Sequence, residues 1–73
     1  MILINAPLKR DFIIELLDQQ TLNSITFHFV KRDQMKLYFD HSGSVEEAIA
    51  TAKKAIKSSE FGQALFFNVI EVK

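Results

Sequence analysis

His28, Lys36, Tyr38, Asp40 and His41, all side chains able to carry protons or hold a ligand, fall in one short stretch, FHFVKRDQMKLYFDHSGS. The chain has no other histidine and no other tyrosine. An imidazole oriented by a carboxylate, with a phenol or an ammonium beside it, would be an acid–base cluster. Whether these groups can meet is decided by the alternation of the chain around them.

SITFHFVK and MKLYFDH both alternate with a period of two, so each reads as a strand, and the polar residues between them read as a hairpin turn. Ile25, Phe27 and Phe29 share one face with Met35, Leu37 and Phe39. Thr26, His28 and Val30 share the other with Lys36, Tyr38 and Asp40. If the apolar sets share a core face, odd residues pair with odd ones, because a slip of one residue turns every side chain over. That predicts a three-residue turn, Arg32-Asp33-Gln34, with His28 opposite Tyr38, Thr26 opposite Asp40 and Val30 opposite Lys36. His28, Lys36 and Asp40 would then form a polar cluster with Tyr38 on the outer face. A polar outer face is also what an ordinary antiparallel sheet presents to water, so no catalytic residue is assigned. Asp40 and His41 are adjacent on a strand and point to opposite faces, so no metal site uses both. With no cysteine in the chain, thiolate metal sites, disulfides and cysteine nucleophiles are also excluded.

The elements around this hairpin follow from the rest of the chain. MILIN reads as a short apolar strand. In APLKRDFIIELLDQQ, Leu8, Phe12, Ile13, Leu16 and Leu17 recur at helical spacing, and Pro7 suits the first turn of a helix. QTLNS reads as a loop. In HSGSVEEAIATAKKAIKSS, Ser44 and Glu47 have capping-box spacing. Ala48, Ile49, Ala52, Ala55 and Ile56 form the buried stripe. Gly62 suits the stop after this helix. ALFFNVIEV, apolar on both faces, reads as a last strand.

The order is strand–helix–strand–strand–helix–strand. It predicts a single small α+β domain over residues 1–73, of ferredoxin-like split βαβ type (βαββαβ), with a four-stranded antiparallel sheet and two helices on one face. The alternative makes residues 11–18 a strand, giving a mostly antiparallel β meander with a single helix, Val45–Ser58.

Seventy-three residues bury a modest core, and chains of this size often gain stability from a partner copy. Nine basic residues balance nine acidic ones, which lacks the basic excess of a nucleic-acid binder. The first residues do not make a signal-peptide core, and no apolar run approaches the ~20 residues of a membrane span. The expectation is a cytoplasmic protein without cofactor or membrane contact.

In element order the chain resembles the RNA-recognition motif. ILINAPL is similar to that family's first-strand hexapeptide and SVEEAIATAKKAI to its second helix. The resemblance implies the fold, and it implies RNA bound through outward aromatics on two strands. Here Leu3 stands in the first strand, and Gln34 and Lys36 stand where the stacking rings of the third would be. Regulatory domains of the ACT type have the same expected architecture, and they imply a small-molecule ligand as the first alternative function.

In the last strand, Leu65, Phe67 and Val69 alternate with Phe66, Asn68 and Ile70, so apolar groups face outward whichever set is buried. A second copy, or another protein, is the expected cover. The partner-binding face is expected to contain Val30, Tyr38, Phe66 and Ile70, rimmed by His28, Lys36 and Asp40.

Overall fold

A computed structural model describes residues 1–60 and 66–72 of the chain. Seven elements follow in order: β1 (Ile2–Asn5), α1 (Arg10–Leu17), β2 (Thr21–Leu22), β3 (Ile25–Asp33), β4 (Lys36–His41), α2 (Val45–Lys57) and β5 (Asn68–Glu71). The strands form one five-stranded antiparallel sheet in the order β2-β3-β4-β1-β5. Five strands replace the expected four. One core lies between the sheet and the two helices, built from Ile2, Ile4, Phe27, Leu37, Phe39 and Val69 against Ile13, Leu17, Ala48, Ala52 and Ile56. Among the described residues no helix is long and apolar enough to cross a membrane.

Residues 10–17 are helical, so the single-helix meander is set aside. The doublets Ile13-Ile14 and Leu16-Leu17 decide this. A helix turns Ile13 and Leu17 fully inward, whereas a strand would expose one member of each pair. The helix begins later than Pro7. Lys9 is left-handed (φ 60°), and the Arg10 guanidinium donates to the carbonyls of Pro7 (2.7 Å) and Ala6 (3.3 Å), folding residues 6–9 into a turn. Leu8, expected in the buried stripe, is therefore 64% exposed.

The extra strand comes from QTLNS, expected to be a loop. Asn23 and Ser24 both have positive φ (50° and 66°), the pair of conformations that closes a two-residue hairpin, and they return Thr21-Leu22 against Thr26-Ile25. Asparagine tolerates this backbone better than most residues. The hairpin is tied by a hydroxyl pair, Thr21 Oγ1 to Thr26 Oγ1 at 2.8 Å.

Where β2 ends, a carboxylate takes over. Asp18, just past α1, accepts the Phe29 backbone N–H at 2.8 Å, so helix end and strand edge are joined by one charge-assisted bond. At the other end of the hairpin, Gly43 (φ +69°) passes so close to Ile25 that a Cβ would lie 2.6 Å from its Cδ1. Ser44 then caps α2, accepting the Glu47 backbone N–H at 3.2 Å as its sequence spacing implied. Of the expected last strand, residues 68–71 are strand; Gly62 and Leu65 lie outside the described residues.

Removing the Asp18 carboxylate leaves the Phe29 N–H without its acceptor. Asp18→Ala is expected to lower stability by about 1.5–3 kcal/mol, and Asp18→Asn, which keeps a side-chain carbonyl, by clearly less. Urea unfolding of the two variants checks this; equal losses would contradict it.

Candidate functional site

The sheet has one face under the helices and one open, and pairing register fixes which side chains share the open one. The β3–β4 hairpin departs from the expected three-residue turn. Phe27 pairs with His41, His28 with Asp40 and Phe29 with Phe39; then the register shifts, and Lys31 pairs with Tyr38, Arg32 with Leu37 and Asp33 with Lys36. Val30 is the extra residue of a β-bulge, so Val30 and Lys31 together stand against Tyr38. The turn is the two-residue Gln34-Met35, entered through the positive φ of Gln34 (57°). Parity does hold where the core needs it, at the edge-to-face pair Phe29–Phe39 (centroids 5.6 Å apart). The bulge absorbs the odd residue that had been assigned to the turn.

This register revises several pairings. His28 stands opposite Asp40 rather than Tyr38, and Lys36 opposite Asp33 rather than Val30. Thr26 pairs with Thr21 instead of Asp40, and its backbone N–H reaches Ser42 Oγ at 2.9 Å. Met35 leaves the core for the turn, where it is 51% exposed. Past the bulge, Arg32 comes round to the helix side and meets Asp11 of α1 at 2.9 Å. With both side chains largely in solvent, that ion pair adds little stability.

Across β3, β4, β1 and β5 the open face is ordered in rows. Val30 and Lys31, Tyr38, Leu3 and Ile70 occupy the middle row. His28 and Asp40 lie on one side of it; Asp33, Lys36, Asn5 and Asn68 lie on the other. The middle row is an apolar stripe. Val30 and Ile70 are 44% and 46% exposed, Tyr38 is half-buried, and the Lys31 ammonium sits 4.9 Å from the centre of the Tyr38 ring, a cation–π contact. Leu3, at the middle of the stripe, is only 9% exposed although no helix covers it. Tyr38 and Ile70 flank it in the row.

Three of the four residues expected on the binding face, Val30, Tyr38 and Ile70, thus share one row. Phe66, 84% exposed, lies beyond the Asn5–Asn68 pair, beside Pro7 at the end of the sheet. The polar residues divide between rows. Lys36 is in the row with Asp33, away from His28 and Asp40, and the His28–Asp40 pair shares no side-chain hydrogen bond. Sequence reasoning missed Leu3 and Lys31. Leu3 was legible from the alternation of Ile2-Leu3-Ile4, which must send one aliphatic outward; Lys31 was not, because only the bulge brings it to Tyr38.

His41 falls on the opposite face, paired with Phe27. Its Nδ1 donates to the Ser42 carbonyl (3.0 Å), while Nε2 is buried with no partner among the described residues. No group of three histidine, aspartate or glutamate side chains able to hold a metal occurs among the described residues. A depression of about 460 Å³ lies between Leu22, Asn23 and one flank of α2, and none of the polar row residues lines it.

Comparison with known families, with curated proteins and with solved structures finds no match to this chain.

The stripe should carry stability in the isolated chain at Leu3 and not at its margins. Leu3→Ala is expected to cost about 2–3 kcal/mol, within the range for buried leucines, and Ile70→Ala less than about 1 kcal/mol. Thermal unfolding at low protein concentration, where association is minimal, checks the ratio; similar costs would contradict it.

Proposed function

We propose that the chain is a ferredoxin-like domain with an added edge strand, and that it acts by pairing with a second copy through its open sheet face. Supporting the fold reading, removal of the two-residue β2 leaves the order β3-β4-β1-β5, in which β1 lies between the two strands that follow the hairpin turn and α2. Split βαβ domains are wound this way.

The observation that carries the functional reading is the charge pattern about the apolar stripe. On β4, Asp40 and Lys36 stand two residues to either side of Tyr38; on β3, their row partners are His28 and Asp33. A two-fold axis lying along the stripe keeps each strand over its own copy and exchanges the outer rows. Asp40 of one copy then faces Lys36 of the other, and His28 faces Asp33, each contact occurring twice. The stripe packs on itself, with Leu3, Tyr38 and Ile70 as its apolar centre. Such self-complementarity is what an isologous interface requires. The two Lys31 ammonium groups lie at the margin, each held over its own Tyr38 ring.

The expected affinity is modest. Four strands at about 4.8 Å spacing and five residues at about 3.4 Å give a flat footprint of roughly 300 Å² per copy, which belongs with weak, concentration-dependent associations. Phe66 lies outside the paired rows and takes no part in this contact.

A charge exchange tests the reading. Asp40→Lys places two lysines opposite one another and is expected to weaken association at least tenfold by sedimentation equilibrium, the scale of a like-charge juxtaposition. Lys36→Asp added to it restores the opposite charges and should recover most of the loss. A double variant no better than Asp40→Lys alone would rule this geometry out.

A further inference from the structure

The two edges of the sheet are built differently. On the β3 side, the edge is blunted four ways: β2 covers only its first residues, Asp18 takes the Phe29 N–H, Val30 bulges, and Lys31, Arg32 and Asp33 follow as exposed charges. Bulges, charges and short strands are how proteins keep an edge from pairing with another chain. On the β5 side, residues 68–71 are Asn-Val-Ile-Glu, with no proline, lysine or bulge, and no further strand lies alongside among the described residues.

Hydrogen-bond phase shows which backbone groups this edge offers. The Val72 N–H donates to the Met1 carbonyl at 3.0 Å, across from it in the β1–β5 ladder. Backbone groups of successive residues point to opposite sides of a strand, so those of Ile70 and Asn68 also point to β1. Those of Val69 and Glu71 point away from the sheet. Among the described residues they form a free pair of donors and acceptors at the spacing another strand would use.

We infer that the β5 edge is a strand-addition site, and that its occupant is β5 of a second copy running antiparallel. The phase argues for this partner. Bonded pairs across a new antiparallel ladder must join outward-pointing residues, here Val69 and Glu71. A two-fold axis at Ile70 pairs Val69 with Glu71 of the other copy, twice, and places Ile70 against Ile70 on the open face. Asn68 stands opposite Val72, and no like charges are opposed. Centring on Glu71 instead would place the two carboxylates directly against each other. The result is a ten-stranded sheet continuous through both copies. It is independent of the face contact, since Glu71 lies on the helix-side parity and Asp40 is two strands away from β5.

Amide hydrogen exchange tests it, with Asp40→Lys present so that any face-to-face pairing is suppressed. At millimolar concentration, the Val69 and Glu71 amides are expected to exchange about a hundredfold more slowly than in a dilute sample, while those of Ile70 and Val72, bonded to β1, change little. In a second variant, Glu71→Pro removes one outward donor and leaves the β1 ladder whole, because that N–H points away from β1. It should return the Val69 amide to the dilute rate. Fast exchange of Val69 and Glu71 at every concentration, or slow exchange that persists on dilution, would overturn the inference. Both results are readable whether or not the open face associates.

Discussion

The structure turns on one extra residue in one strand. A β-hairpin with a two-residue turn and no irregularity would set even residues of β3 against odd residues of β4, putting either Phe29 or Phe39 into water. The bulge at Val30 resolves this. Below it, Phe27 and Phe29 keep the core register; above it, Lys31 rather than Val30 faces Tyr38, and Arg32 turns to the helix side. A bulge leaves backbone groups unpaired, which is tolerable on the outer side of an edge strand and costly within a sheet. Its position beyond the end of β2 is therefore the one place in β3 where it interrupts no neighbour on that side.

From that constraint the open face follows. Because Val30 and Lys31 together oppose Tyr38, an aliphatic group and a cation flank one ring, and the middle row becomes an apolar stripe with its charge at the margin. The rows on either side inherit His28–Asp40 and Asp33–Lys36. Each row carries one acidic group beside a basic one, and within β4 the acid and the base are exchanged between rows. The polar residues of the hairpin are thus divided between two rows, with Tyr38 between them.

Much of this was legible in the residues. Alternation located both strands of the hairpin and, apart from Met35, their inner faces; the Ser44 cap and the alanine stripe located α2; the apolar doublets favoured α1 over a strand. What could not be read was any feature decided by backbone rather than side-chain pattern. A bulge has no residue signature of its own, since valine is as welcome in a regular strand as in an irregular one. The β2 turn uses Asn23-Ser24, half of the usual Asn-Gly signal, and the strand it returns is too short to show a period. Pro7 suggested a helix start, but Lys9 and Arg10 set it three residues later through hydrogen bonds to residues 6 and 7. Counting residues between two patterned strands gave the right parity and put the odd residue in the wrong place.

The most direct test of self-pairing through the open face is an isotope-filtered nuclear Overhauser experiment on an equal mixture of labelled and unlabelled chains. The account predicts intermolecular contacts between the Lys36 methylenes of one copy and the Asp40 β-protons of the other, together with contacts among the Leu3 and Tyr38 side chains of both. Intermolecular contacts joining Lys36 to Lys36, or a set confined to the helices with none from β4 and β1, would contradict it.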